Sequence, residues 1–303
     1  MKKIIFCLLA WGSTWSALEA KVVTNGRSEG HAFVLKEHAQ LPGRIWGFDW
    51  LNKETLLLSI RGKGVYQLDL GSGKASSLPS PNFHRQGQGG MLDLRVFSIN
   101  NQKWVYVTYT GQTKGQANTR LARAKVSKGA LGSWEEVFSS KAYSGYGVHF
   151  GSRVVMDKRG FLFMSIGDRG DRDNGQKLSS HAGSILRLSP TGKALKSNPF
   201  VNKKGALAEI WSYGHRNPQG LAIDDSGQLW AIEHGPRGGD ELNLIAPGKN
   251  YGWPVISYGK EYHVDRKVGQ GTHKQGMEQP KKIYVPSIAP CGMSFYRGSM
   301  FPK

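Results

Sequence analysis

Five short polar segments concentrate the side chains and bare backbone that could do chemistry. Gly87-Gln88-Gly89-Gly90 sets a single amide side chain among glycines, which let a main chain approach a ligand closely; a plain turn has the same composition. His149-Phe150-Gly151-Ser152-Arg153 carries one histidine, a candidate general base, in a turn where a structural histidine is the commoner occupant. Gly167-Asp168-Arg169-Gly170-Asp171-Arg172-Asp173 offers Asp168, which would orient that imidazole and raise its basicity if one hairpin brings the two together. A solvated charged loop is the competing reading there, and Asp171 and Asp173 lack the rest of a calcium-hand loop. Trp211-Ser212-Tyr213-Gly214-His215-Arg216-Asn217-Pro218-Gln219-Gly220 places two donors, Arg216 and Asn217, where an anion or a developing negative charge would need them. Glu233-His234-Gly235-Pro236-Arg237-Gly238-Gly239-Asp240-Glu241, followed by Asn250-Tyr251-Gly252-Trp253-Pro254, mixes bare carbonyls with carboxylates, the oxygen-only set that calcium prefers.

Other chemistries lose support by absence. The sequence has no Gly-x-Gly-x-x-Gly, no Walker loop, no His-Glu-x-x-His and no Gly-x-Ser-x-Gly. The usual nucleotide loops, zincin hydrolysis and esterase chemistry are therefore disfavoured together.

The elements that must position these segments are short strands. Residues 153–166 read as strand, tight turn, strand, and the pattern recurs at 220–233. Asp157 aligns with Asp224, Gly160 with Gly227 and Phe163 with Trp230. Each Asp-x-x-Gly makes a turn, because glycine tolerates positive φ and aspartate caps its own backbone. Earlier runs at 46–51, 55–61 and 64–70, and at 91–98, 104–110 and 120–126, have the same outline. A further apolar run spans 288–295. Units of three or four strands repeating every 45 to 70 residues or so predict an all-β chain, specifically a β-propeller, with about four blades and the start of a fifth. A β-sandwich would not repeat one hairpin at this period. In a propeller all five polar segments fall at strand ends, around the mouth of the central channel.

Composition agrees. The 303 residues include 40 Gly and 13 Pro, which disfavours long helices, while 39% apolar content excludes a disordered chain. The net charge of +19 is spread along the chain in no long block, which suits an envelope surface, or in part an anionic ligand, better than nucleic acid. Lys2 and Lys3, the apolar run 4–11 and Ala17-Leu18-Glu19-Ala20 have the layout of a secretory signal peptide; a short anchor or a buried strand is the alternative. A signal peptide at 1–20 would leave a mature domain of 21–303 in the periplasm, with Cys291 as its single thiol. No later apolar run is long enough to span a membrane.

The motifs from His149 to Pro254 closely resemble those of the soluble quinoproteins, the pyrroloquinoline-quinone-dependent aldose sugar and glucose dehydrogenases of the glucose/sorbosone dehydrogenase family. The resemblance runs from about residue 40 to the end. It implies a six-bladed propeller with quinone over the channel mouth and Ca2+ beneath it, oxidising the C1 hydroxyl of an aldose sugar to a lactone. It further implies that His149 takes the C1 hydroxyl proton, that Asp168 orients His149, and that hydride passes from C1 to C5 of the quinone. Arg216 would stand beside the quinone oxygen with Asn217 as its neighbouring donor, and Gln88 would lie at the cofactor. The carbonyls of Gly235 and Pro236 would hold the cofactor calcium, and Glu241 and Tyr251 a second, structural calcium, with Asp240 adjacent. In this family the last blades supply a lysine and arginines for the quinone carboxylates; those positions lie beyond Lys303, so an incomplete ring without these contacts is expected. The sequence does not name the electron acceptor or an oligomeric state. Two other classes stay open from the residues alone: a non-catalytic propeller binding glycan or an envelope partner, and a calcium-using propeller hydrolase or lactonase.

Overall fold

The computed structural model describes residues 21–28 and 30–299. The signal peptide expected at 1–20 lies outside them. A hairpin, β1 (Lys21–Ser28) and β2 (His31–Glu37), precedes four antiparallel four-stranded sheets, each built from consecutive strands. The first sheet holds β3 (Ile45–Trp50), β4 (Thr55–Ile60), β5 (Gly64–Asp69) and β6 (Ala75–Leu78). The second holds β7 (Met91–Ile99), β8 (Gln102–Thr113), β9 (Gln116–Ser127) and β10 (Ala130–Ser139). The third holds β11 (Val154–Met156), β12 (Leu162–Ile166), β13 (Ser184–Leu188) and β14 (Ile210–Tyr213). The fourth holds β15 (Pro218–Ile223), β16 (Leu229–Glu233), β17 (Asp240–Ile245) and β18 (Lys282–Tyr284). Among the described residues the one helical element is a 3-10 turn, Arg172–Gln176, and none is long and apolar enough to cross a membrane.

Successive sheets pack through their first strands: β7 lies on β3 and β4, β11 on β7, and β15 on β11 and β12. This is the blade arrangement of a β-propeller. Three apolar cores fill the three interfaces. Leu57 and Val65 of the first sheet meet Met91, Val105 and Val107 of the second. Tyr106 and Leu121 of the second meet Leu162, Met164 and Leu186 of the third, and Phe163 and Ile185 of the third meet Leu221, Ala231 and Ile245 of the fourth. Middle strands are covered on both faces, so β12 and β13 are buried at every residue instead of alternating. A part-buried ion pair adds a polar pin: Arg153 Nη1 meets Asp93 Oδ1 at 2.5 Å, while Nε donates to Gln219 O at 3.0 Å and Nη2 to Cys291 O at 2.7 Å.

The repeated turns form as expected. Asp157 Oδ1 accepts the amides of Arg159 and Phe161, Asp224 Oδ1 accepts that of Gln228, and Gly160 and Gly227 have φ of 82° and 87°. The outer strands β6 and β10 extend the sheets beyond the runs legible in sequence, because they are short or largely exposed and carry little apolar signal. The run expected to open a fifth blade forms no strand at 288–295. No strand pairs with it among the described residues; instead its main-chain groups are gripped one after another by side chains. Asp240 Oδ2 accepts the amides of Ile288 and Ala289, His234 Nε2 meets Pro290 O, and Arg153 meets Cys291 O.

Candidate active site

In an antiparallel meander the start of the first strand, the end of the second, the start of the third and the end of the fourth share one end of the sheet. The five polar segments occupy those positions: before β7, before β11, after β12, between β14 and β15, and between β16 and β17. Topology therefore gathers them at one rim. Close backbone approach completes the gathering: Gly87 has φ 54°, and a Cβ there would stand 2.2 Å from Gly147 O. Only glycine allows the first segment to lie against the second. Gln88 Oε1 then accepts the His149 amide at 2.9 Å.

His149 Nδ1 and Asp168 Oδ1 are 2.6 Å apart. Asp168 is buried, its Oδ1 also accepts the Gly170 amide at 2.9 Å, and its Oδ2 accepts Trp253 Nε1 at 2.8 Å. An ionised carboxylate so held is an acceptor, which places the imidazole proton on Nδ1 and leaves Nε2 free to accept one. The Asp168 amide donates to Arg216 O at 2.8 Å, linking this pair to the next segment.

Arg216 is also buried. Its Nη1 donates to Gly235 O at 2.8 Å and His234 O at 3.3 Å, and its Nη2 to the Tyr262 hydroxyl at 3.1 Å. The Trp253 ring lies 5.4 Å from its Cζ. All these acceptors are neutral, so among the described residues no carboxylate takes up its charge. Asn217 lies beside it, its Oδ1 accepting the Gly151 amide at 3.2 Å. Behind Arg216, Glu233 Oε2 accepts its amide at 2.7 Å while Oε1 meets His215 Nδ1 at 2.8 Å; His215 stacks on Tyr251.

A cavity of about 10 Å³, room for a single ion or water, is lined by Arg216, Glu233, Gly235, Glu241, Tyr251 and Trp253, among others. Asn243 Nδ2 bridges Glu233 and Glu241 at 3.2 Å to each, and Asn243 Oδ1 is buried with no partner. Burial, with Glu233 and then Asp240 adding repulsion, pushes the Glu241 carboxyl up to about 8. Glu233 and Glu241 are the carboxylates on this cavity, with Asn243 between them, and carboxylate oxygens of this kind could take part in holding calcium. Among the described residues no three His, Cys, Asp or Glu side chains form a metal cluster, so main-chain oxygens would have to complete any such site. Tyr251 could contribute only from its main chain: its hydroxyl donates to Leu244 O at 2.6 Å and accepts the Ala246 amide at 2.8 Å.

Asp240, expected adjacent to the second calcium, directs its carboxylate to four hydrogen-bond donors. Its Oδ1 accepts the Gly235 amide at 2.9 Å; its Oδ2 accepts Ser287 Oγ at 2.7 Å and the amides of Ile288 and Ala289 at 2.8 and 2.9 Å. Four donors saturate the carboxylate, which holds the turn of Gly235 and Pro236 against the 288–295 segment. Sequence reasoning also gave no role to Trp253, Glu233 or Tyr262. The first two lie inside the quoted motifs, so a signal existed; Tyr262 lies in a loop with none.

The rim and its contents are those of a propeller whose channel mouth pairs a histidine with a carboxylate beside an uncompensated arginine. The glucose/sorbosone dehydrogenase family profile matches residues 41–303, and the chain belongs to that family of sugar oxidoreductases. It is 36% identical over 267 residues to the aldose sugar dehydrogenase YliI of Escherichia coli, covering 85% of this chain and 72% of that protein. The crystal structure of the soluble aldose sugar dehydrogenase from Escherichia coli in the apo-form matches with a TM-score of 0.79 and 34% identity, over 86% of this chain and 77% of that one. The PQQ-bound form of aldose sugar dehydrogenase from Streptomyces coelicolor matches with a TM-score of 0.71 and 28% identity, over 91% of this chain and 75% of that one.

Proposed function

We propose that this chain is a pyrroloquinoline-quinone-dependent aldose dehydrogenase of the periplasm that oxidises the sugar C1 hydroxyl to the lactone. The observation that carries the reading is the 2.6 Å contact between His149 Nδ1 and Asp168 Oδ1 at the rim shared with Arg216. Asp168 fixes the tautomer, so His149 Nε2 is the base that receives the C1 hydroxyl proton. When bound, the quinone supplies the two-electron acceptor for the C1 hydride, and calcium polarises it. Arg216, its charge unspent on any described carboxylate, would supply a cationic donor where the acceptor gains negative charge, with Asn217 beside it. Gln88 accepts the His149 amide, so it would help fix the position of the base and would lie near any bound quinone. The carbonyls of Gly235 and Pro236 would hold the cofactor calcium; Glu241 and the Tyr251 main chain would hold a second, structural one. Asp240 serves as the brace of that turn. The PQQ-bound relative supports the choice of quinone, and the leader-like residues 1–20 support export.

The test is steady-state reduction of an artificial electron acceptor by aldoses after adding quinone and calcium. Turnover should require both additions and stop when a chelator removes the metal. Aldose turnover without quinone, or lactone hydrolysis without any acceptor, would overturn the reading. Export is checked separately: periplasmic protein should begin at Lys21.

A further inference from the structure

Arg169 has no part in the chemistry above, yet its setting is costly. It is fully buried at 0% exposure. Its guanidinium donates only to carbonyls: Nη1 to Val148 O, and Nη2 to Tyr146 O at 3.1 Å and Ala117 O at 3.4 Å. Its Cζ stands 3.5 Å from the Phe150 ring centroid, and its buried Nε has no partner. Burial pushes its pKa down to about 10 against the pull of Asp168, so it is still a cation at neutral pH. A buried cation with no carboxylate in direct contact lowers stability. Its contacts suggest what offsets that loss.

Tyr146 and Val148 precede His149, and Phe150 follows it. His149 itself has φ 52°, in the left-handed region, and Gly151 and Ser152 follow with φ of 59° and 87°. Such a backbone persists only where its surroundings over-determine it. Gln88 holds the His149 amide and Asp168 holds the ring. On the chain either side of the base, the Gln88 amide donates to Gly147 O at 2.7 Å and Thr119 Oγ1 to Phe150 O at 3.0 Å, and Arg169 adds the bonds to Tyr146 O and Val148 O.

We propose that Arg169 is a positioning residue for His149, a buried clamp on residues 146–150 that keeps the imidazole seated on Asp168. The inference rests on the reading of His149 as the base, and it adds that adjacent residues of one turn, 168 and 169, set the ring and its backbone respectively. A planar fork reaching several carbonyls is a property of arginine that lysine lacks.

Arg169→Met and Arg169→Lys test it. With quinone and calcium, Arg169→Met should lower kcat by about 10–100-fold, as expected for a displaced base. The KM for aldose and the Kd for quinone should stay within about twofold, because neither ligand touches Arg169 in this scheme. Arg169→Lys should fall between Met and wild type. A second readout needs no activity: the rate at which diethyl pyrocarbonate modifies His149 in the unloaded protein, located by mass spectrometry. That rate should rise several-fold in Arg169→Met, about as expected for an imidazole freed from its seat. If Arg169→Met does not fold, the same criteria apply to Arg169→Lys. A folded variant with a lower Tm but an unchanged modification rate would overturn the clamp. If the wild-type protein oxidises no aldose, the dehydrogenase reading fails, and the modification rates alone decide the clamp.

Discussion

His149 and Asp168 lie 19 positions apart in sequence and 2.6 Å apart in space. Their meeting was legible because a hairpin returns the chain to the same end of its sheet. The separate contributions of the pair can be measured. His149→Ala removes the base and should lower kcat by about 10²–10⁴-fold with the fold retained. Asp168→Asn keeps the shape but can present its amide to Nδ1, which would put the proton on Nε2 and leave no base; kcat should fall comparably while quinone binding persists. Unchanged turnover in either variant would remove that residue from the mechanism. What the residue types could not reveal was direction. Asp240 is buried and Glu241 half-buried beside the same turn, yet one is taken up by three amides and a serine hydroxyl and the other lines the cavity. Composition alone cannot distinguish a carboxylate facing amides from one facing a cavity.

The turn between β16 and β17 depends on that distinction. If Asp240 is a brace, Asp240→Ala leaves amides of Gly235, Ile288 and Ala289 without their acceptor and costs about 3 kcal/mol or more, lowering Tm by about 6 °C or more. The loss should appear in metal-free buffer as well as with calcium. Loss of only the calcium-dependent increment in Tm would mark Asp240 as a ligand and contradict the brace.

A different contact governs the seam between the second and third blades. His181 Nδ1 accepts the Lys141 amide at 2.9 Å and its Nε2 meets Glu209 at 3.2 Å, so the folded ring is neutral. Burial holds its pKa below the usual 6.5, outweighing the pull of Glu209. The unfolded chain therefore binds the extra proton first as pH falls below about 6.5, and stability drops with acid. Glu209, whose pKa is lowered chiefly by the hydrogen bond from His181, adds loss of the same sign below its ordinary 4.5. Melting curves from pH 7.5 to 5 should show a decline in Tm that is shallower in His181→Gln, which can keep both hydrogen bonds without titrating. Equal slopes in the two proteins would contradict this assignment.

At the scale of the molecule, the propeller was readable from its repeats because the Asp-x-x-Gly turns fix hairpin geometry locally, at 157–160 and 224–227. The outer strands and the 288–295 segment were less readable, since their conformations depend on partners elsewhere in the chain. Cys291 and Pro290 belong to an apolar run that looks like a strand, yet Arg153 and His234 determine its path. Three interblade cores and the Asp93–Arg153 pair hold four blades in register, and that register is what assembles the rim. The family match and the rim geometry point to one chemistry, and one measurement tests it most directly. Purified protein is titrated with quinone in the presence of calcium, and the absorbance of the bound quinone is followed as an aldose is added without any other acceptor. The account predicts stoichiometric binding, then conversion to the reduced spectrum with one lactone formed per quinone, and no conversion in His149→Ala. Quinone that binds but stays oxidised with every aldose tried, or that is reduced equally well in His149→Ala, would contradict it.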